Sequence, residues 1–512
     1  MKKSTIGFVL LLLVGGAAIF AWKYVDELLA RQTSVRVSRS LRIGGDNYLG
    51  YWFINSPEMR KQSVQKDFSV EFHDDGGAYG ERLAKFAAGE YDCIVLPVNT
   101  YLEQGRQHDY PGVVVAAISE SKGADGIVAR ADRLDGDKIN ALDDPGLNVV
   151  YTADSPSSFL LDLTIADFDL ARLRDSDGWR QRAGSSEEVL ERARKGDGDV
   201  FVLWEPDLSK ALALDGMNYL WGSDDFSGYI VDVFVFHRDV LRRDRKLVHD
   251  FLATYFQTQA VYANDRERMV AEMARSAGLK KPVVAEMIPK IDWLDLRENC
   301  SDQFGIAGDR ADAQSTEGLV NTIIACTDVL LRTKQLDRDP LEGNPYQITN
   351  RSFLEELARD DVLASRAATA RPPKSGYAAL DAEAWSELRV VGTFRLEPIT
   401  FQSWNNLLAE EGKARVDRIA ATLTNNYPQY RIIIRGHTGP GGDEAENRKL
   451  SLERAQVVRQ YLLAVHGMDA NRLLAQGIGS SQPLPRKANE SQRAWRYRLP
   501  RVEFVAVEGN VL

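Results

Sequence analysis

Short apolar runs alternate with helical stretches from residue 41 onward, and that alternation limits the fold more than any other feature. Leu41-Arg42-Ile43 reads as a strand ending at Gly44-Gly45, and residues 68–72 read as a second. Asp74-Asp75-Gly76-Gly77 leads into a helix over residues 79–88, and strands follow at 91–95 and 113–118. The pattern continues with strands at 147–151, 200–203 and 233–236 and a helix from Ser157. Such β-α-β alternation predicts a mostly parallel sheet covered on both faces. Ligands of such sheets sit beyond the strands' C-terminal ends, near helix N-termini. Residues 247–357 read as mainly helical, residues 367–375 as a linker, and a smaller α/β unit follows from about residue 388.

The chain has 512 residues; at about 150 residues per domain it should hold two to four domains. A net charge of −10 argues against a general nucleic-acid surface, which needs concentrated Lys and Arg. Ahead of the alternation, Met1-Lys2-Lys3 precedes an apolar run from Ile6 to Trp22. That is the minimum length for a spanning helix, and the leading lysines favour a cytoplasmic N-terminus. A cleaved signal peptide is the competing reading, but Ile19-Phe20-Ala21 has a bulky residue where a small one is needed. Either way the body lies outside the cytoplasm; the expected place is the inner membrane, single-pass, with the body in the periplasm.

Cys93 lies in an apolar run and reads as a buried strand residue, while Cys300 and Cys326 are left open as a disulfide pair. No Ser-His-Asp set, metal-ligand cluster or phosphate loop stands out. The expectation is a binding protein with no cofactor and no metal, and not an enzyme.

The loops after the strands carry the chemistry. Gly44-Gly45-Asp46-Asn47-Tyr48 continues to Trp52 with glycines, an acid and aromatics just beyond a strand, either a plain turn or a ligand wall. Asp154-Ser155-Pro156-Ser157 is a strong helix start whose free N–H groups can also hold a polar ligand.

Three stretches in order resemble the type II periplasmic solute-binding proteins of the nitrate, sulfonate and thiamine-precursor transport group. They are Gly123-Ala124-Asp125-Gly126-Ile127-Val128-Ala129-Arg130, Trp204-Glu205-Pro206 and Tyr229-Ile230-Val231-Asp232-Val233. The resemblance implies two α/β lobes joined by crossovers, with the ligand between them. By position it places Asp46, Tyr48, Trp52, Gly77, Asn99, Thr100, Ser119, Glu120, Ser155, Ser157, Glu205, Asp224 and Asp232 around the ligand. Several are acids and no Arg is evident among them, so the expected ligand is a cationic or neutral nitrogen compound rather than an oxyanion.

Residues 388–512 carry a second set: Gly436-His437-Thr438-Gly439, Asn447, Leu450-Ser451, Arg454-Ala455, Gly477-Ile478-Gly479 and Arg501-Val502-Glu503. This order resembles the OmpA C-terminal domain, which implies peptidoglycan binding through Thr438, Asn447, Arg454 and Arg501. In that family an aspartate follows Gly-His-Thr and grips the stem peptide with the arginine; here the position is Gly439, and Asp443 or Glu444 are the candidate substitutes. Leu499-Pro500 also replaces the usual Asn-Arg, while His437 reads as structural.

The expected layout is an anchor or signal peptide at 1–30, a solute-binding domain with helical extension at 40–360, a linker at 361–387 and an OmpA-like domain at 388–512. The expected role is to bind a small metabolite between the lobes and attach to peptidoglycan; the alternative is the substrate-binding component of an ABC importer. Expected partners are the ligand, peptidoglycan, the inner membrane, and an ABC permease or another envelope complex, with no nucleic acid.

Overall fold

The computed structural model describes residues 37–134, 139–168, 170–306, 316–359, 376–394, 398–401, 407–486 and 490–508. The N-terminal apolar run lies outside them, and no helix among the described residues is long and apolar enough to cross a membrane.

The alternation builds two lobes. Strands β1 (Arg39–Gly45), β2 (Phe68–Asp74), β3 (Cys93–Pro97) and β4 (Gly112–Ser121) begin the first. The chain then crosses over and lays down β5 (Asp125–Arg130), β6 (Val149–Thr152), β7 (Arg180–Ala183), β8 (Val200–Trp204) and β9 (Met217–Gly222) in the second. It returns as β10 (Val231–His237), and β11 (Ile291–Trp293) completes the first lobe. The strand orders are β11-β4-β10-β3-β1-β2 and β7-β6-β8-β5-β9.

The sheets are more mixed than a β-α-β reading suggests. β1 pairs in parallel with β2 and β3, but β10 runs antiparallel to both β3 and β4. In the second lobe β6 is parallel to β7 and β8, while β5 is antiparallel to β8 and β9. The physical reason is the crossover. β3 and β4 finish at the gap between lobes, whereas β10 starts there, so it must run against them. The central strands β3, β4, β5, β6, β8 and β10 are buried nearly throughout, while β2, β7 and β9 are partly exposed.

The helix Pro156–Asp167 is buried nearly all round because it is sandwiched between β5 and β8 on one side and the helix Gly318–Arg332 on another. Ser155 and Ser158 form a capping box at its start. The helical extension includes Arg245–Ala263, Arg266–Ala277 and Gly318–Arg332. All three cysteines are free and buried; Cys300 Sγ contacts the Leu354 carbonyl and Cys326 Sγ the Tyr229 carbonyl.

The rear module is a four-stranded sheet, β12 (Val390–Phe394), β13 (Arg431–His437), β14 (Leu473–Gly479) and β15 (Arg501–Val507), in the order β12-β15-β13-β14. The helix Glu444–His466 packs on β13 and β14. Gly436 and Gly477 let it come close: an added Cβ would lie 2.0 Å from the Ser451 carbonyl oxygen and 2.4 Å from that of Arg448. Tyr377 and Trp385, ahead of β12, already belong to this module, since the Arg431 guanidinium lies over both rings.

This module sits against the second lobe. Phe394 stacks on Phe168 at 5.3 Å, and Tyr430 stacks on Trp221 at 6.2 Å. Tyr427 Oη donates to Asp167 and Tyr430 Oη to Asp225, both at 2.6 Å. One apolar core runs continuously through both lobes and into the rear module.

Candidate functional site

The strand ends meet where the lobes face each other. Asp46, Tyr48 and Tyr51 follow β1, Pro97 ends β3 and Asp232 opens β10. Across from them stand Asp125 at the start of β5, Pro156 at the helix start and Trp204 at the end of β8. Tyr79 and Ile230 complete a cleft that is closed: the space left inside is about 20 Å³, room for about one water.

Two carboxylates in this cleft have no cation partner among the described residues. Asp232 accepts from Tyr51 Oη at 2.5 Å and Ser119 Oγ at 3.3 Å, and Asp125 accepts from Ser121 Oγ at 2.6 Å. Burial, with the nearby charges of Glu205 and Asp46, pushes Asp125 up to about 7. Burial, with Asp125 and Asp46, pushes Asp232 up to about 8. Burial likewise raises the Tyr48, Tyr51 and Tyr79 phenols well above their usual range, with the acids adding to it. The remaining acids are answered. Fully buried Arg82 reaches Asp46 at 2.9 Å and Asp75 at 2.5 Å, under the ring of Tyr79. Glu205 is bound by Lys290 and by Ser209. Arg82 was not among the residues expected at this site; its acid partners come from two other loops.

Tyr48 Oη in the cleft wall, and Asn99 Oδ1, Thr152 Oγ1 and Ser157 Oγ at neighbouring element ends, are buried without a hydrogen-bond partner among the described residues. Buried polar atoms are ordinarily paired, and each of these four oxygens can accept a further hydrogen bond.

Of the expected ligand residues, Asp46, Tyr48 and Asp232 line the cleft. Ser119 holds Asp232, Gly77 lies under Trp204 at its rim, and Asn99, Thr100, Ser155 and Ser157 are buried at adjoining element ends. Ser155 is spent on the helix cap, and Glu205 on Lys290. Three expectations are corrected. Trp52 turns away, its Nε1 on Ser276 Oγ at 2.7 Å and its ring against Tyr262. Glu120 clasps Lys122 and the Gly228 N–H at the crossover. Asp224 is exposed and bonded by Tyr219 Oη. The sequence reading did not nominate Tyr51, Tyr79 or Asp125; Asp125 stood inside a quoted motif with no neighbour in sequence to flag it, whereas the Trp204 stretch reads as either a pocket wall or a crossover.

In the rear module, Arg454 lies half-buried with its guanidinium 5.3 Å from the Phe401 ring centroid. Its Nε has no hydrogen-bond partner, it has no acid partner among the described residues, and burial lowers its pKa. Thr438 Oγ1 is also buried and unpartnered. Asn447 holds the loop through the Gly441 carbonyl at 2.8 Å. Arg501 is taken up by Glu503 and the carbonyls of Leu499 and Gln482. Burial works to raise Glu503, but the His437 hydrogen bond and Arg501 outweigh it and bring the carboxyl to about 2. Neither candidate replaces the missing aspartate: Asp443 caps the helix through the Glu446 N–H, and Glu444 accepts from Ser480 Oγ. At Gly439 an added Cβ would meet only Pro500, at 3.9 Å, so a side chain fits there.

Residues 400–496 match the OmpA family. The chain is 36% identical over 94 residues to outer membrane protein A of Klebsiella aerogenes, and 35% over 79 residues to outer membrane porin F of Pseudomonas aeruginosa. These alignments span 18% and 15% of this chain and 27% and 23% of those proteins. The front body is similar in structure to the ligand-binding component of an ABC-type import system from Staphylococcus aureus, with TM-score 0.48, 14% identity, and coverage of 63% of this chain and all of that one. It is also similar to the nitrate-binding protein NrtA from Synechocystis, with TM-score 0.48, 11% identity, and coverage of 65% and 91%. It is the strand order and the two crossovers that define the two-lobed body. The chain therefore joins a two-lobed α/β body to a domain whose residues 400–496 match the OmpA family.

Proposed function

We propose that this is an envelope protein that captures a compact, N–H-rich cation between its lobes and is held to peptidoglycan by its OmpA-like domain. The carrying observation is the pair Asp125 and Asp232, buried in the cleft without a cation. A buried carboxylate either keeps its proton or takes a positive partner. An ammonium or guanidinium would replace one of those protons, and its N–H groups would meet the open oxygens of Tyr48, Asn99, Thr152 and Ser157. The aromatic walls favour a cation as well. Because the closed gap holds about 20 Å³, the lobes must part to admit a guest and re-form around it.

Arg454 and Thr438, each with an open polar atom, support a carboxylate-bearing wall peptide as the second ligand. With Gly439 in place of an acid, the ammonium of such a peptide has no counter-charge, so wall binding is weaker than in a site that holds both. The apolar run from Ile6 to Trp22 supports a single-pass inner-membrane anchor with the body in the periplasm. A substrate-binding role in an ABC importer is the second reading. The docking of the front body on the OmpA-like domain favours a tethered capture protein over a freely shuttling one.

A thermal-shift panel tests the ligand class. Methylguanidine and ethylamine should raise the midpoint of the full chain, while nitrate and ethanesulfonate should not. Stabilisation by the oxyanions alone would overturn the reading.

A further inference from the structure

The return crossover between β9 and β10 touches both functional halves of the molecule within ten residues. At its first end, Ser223 Oγ bonds Ser121 Oγ at 2.6 Å and receives the N–H groups of Gly123 and Asp125 at 2.8 and 3.1 Å. That ties it to the outgoing crossover and to a cleft acid. At its far end Ile230 lines the cleft and Asp232 follows. The middle belongs to the OmpA-like domain. Asp225 accepts from Tyr430 Oη at 2.6 Å, and the Ser227 N–H donates to the Asn426 carbonyl at 2.7 Å. Asn426 Nδ2 returns a bond to the Ser227 carbonyl at 2.8 Å, and Tyr229 and Tyr427 both donate to Asp167.

When two lobes part, the few crossover residues absorb the torsional change. Here one of the two crossovers is pinned along its middle by another domain. We propose that the segment 222–231 couples the cleft to the OmpA-like domain, so that docking of that domain restrains lobe opening and a change in the cleft alters its seat. The proposal rests on the reading of the cleft as a guest site, and deepens it by naming what regulates it. Coupling of this kind is reciprocal: whatever the domain does to opening, opening does to the domain. Glu120 and Lys122, on the outgoing crossover, add to the clasp through the Gly228 N–H and Ser227 Oγ at 2.7 Å each.

Amide hydrogen exchange on the full chain tests this without any guest, so its outcome is independent of the ligand class. The variant Y427F/Y430F removes two hydrogen bonds from the seat and keeps both rings. Exchange at residues 48–52 and 93–99, which touch neither tyrosine, should quicken by about fivefold or more. The control Y497A, at a ring that is 90% exposed, should leave the same amides unchanged. Quickening confined to residues 222–229 and 423–431 would overturn the proposal, as would equal quickening in both variants. Should Y427F/Y430F not fold, N426A, which removes one side-chain bond, takes its place under the same outcomes.

Discussion

Arg82 is fully buried between Asp46 and Asp75, and burial, which works to lower its pKa, is outweighed by those two acids. Removing one partner of a buried ionic group costs more than the group contributes, because the other charge is stranded. Arg82→Met should therefore lower unfolding free energy by about 3–5 kcal/mol, read from urea titration. Asp125 and Asp232 behave oppositely. Their folded-state pKa values of about 7 and 8 lie above those of an exposed aspartate, so the native state binds more protons than the unfolded one. Their contribution to stability is complete below pH about 4 and is lost as pH rises through about 7 to 8. Glu103, raised to about 7 by burial with Asp154 and Asp162, has the same sign. The empty protein should melt several degrees higher at pH 5.5 than at pH 8.5, and Asp125→Asn with Asp232→Asn should flatten that slope. In the rear module, Gly439→Asp places a carboxylate where only Pro500 stands near. Retention of the full chain on purified cell wall should rise by about tenfold, and Arg454→Ala should abolish it. Asp46, Tyr48 and Asp232 could be read from sequence because they lie beside apolar runs already legible as strands. Asp125, Tyr51 and Tyr79 could not, since what makes them site residues is proximity to segments far away in the chain.

At the scale of elements, the seat of the OmpA-like domain depends on Phe168, whose ring meets Trp221, Phe394 and Tyr427. Phe168→Ala should cost about 3–5 kcal/mol and separate a front and a rear transition in calorimetry if the two modules melt as one in the wild type. β1 to β4, β6, β8, β10 and β13 were legible, because each carries a short apolar run closed by turn residues, whereas β7, Arg-Gln-Arg-Ala, has no apolar run to show. The three-residue β11 was not, as it is too short to show a period and forms by pairing with β4. The antiparallel direction of β10 also escaped a local reading, since it follows from which side of the gap the chain re-enters. Contact between the two modules had no local signature at all: Tyr427 and Tyr430 look like ordinary aromatic residues before a strand.

For the whole molecule, the account holds that a cation takes the place of protons in an acidic, aromatic cleft. Taking up the guest must then expel protons, and affinity must depend on pH in a fixed direction. Titration calorimetry of methylguanidine into the full chain at pH 6, 7 and 8 measures this most directly. The account predicts affinity rising by up to about tenfold per pH unit between pH 6 and 8, with proton release seen in buffers of different ionisation enthalpy. Affinity that falls as pH rises, or binding heat from ethanesulfonate and none from methylguanidine, would contradict it.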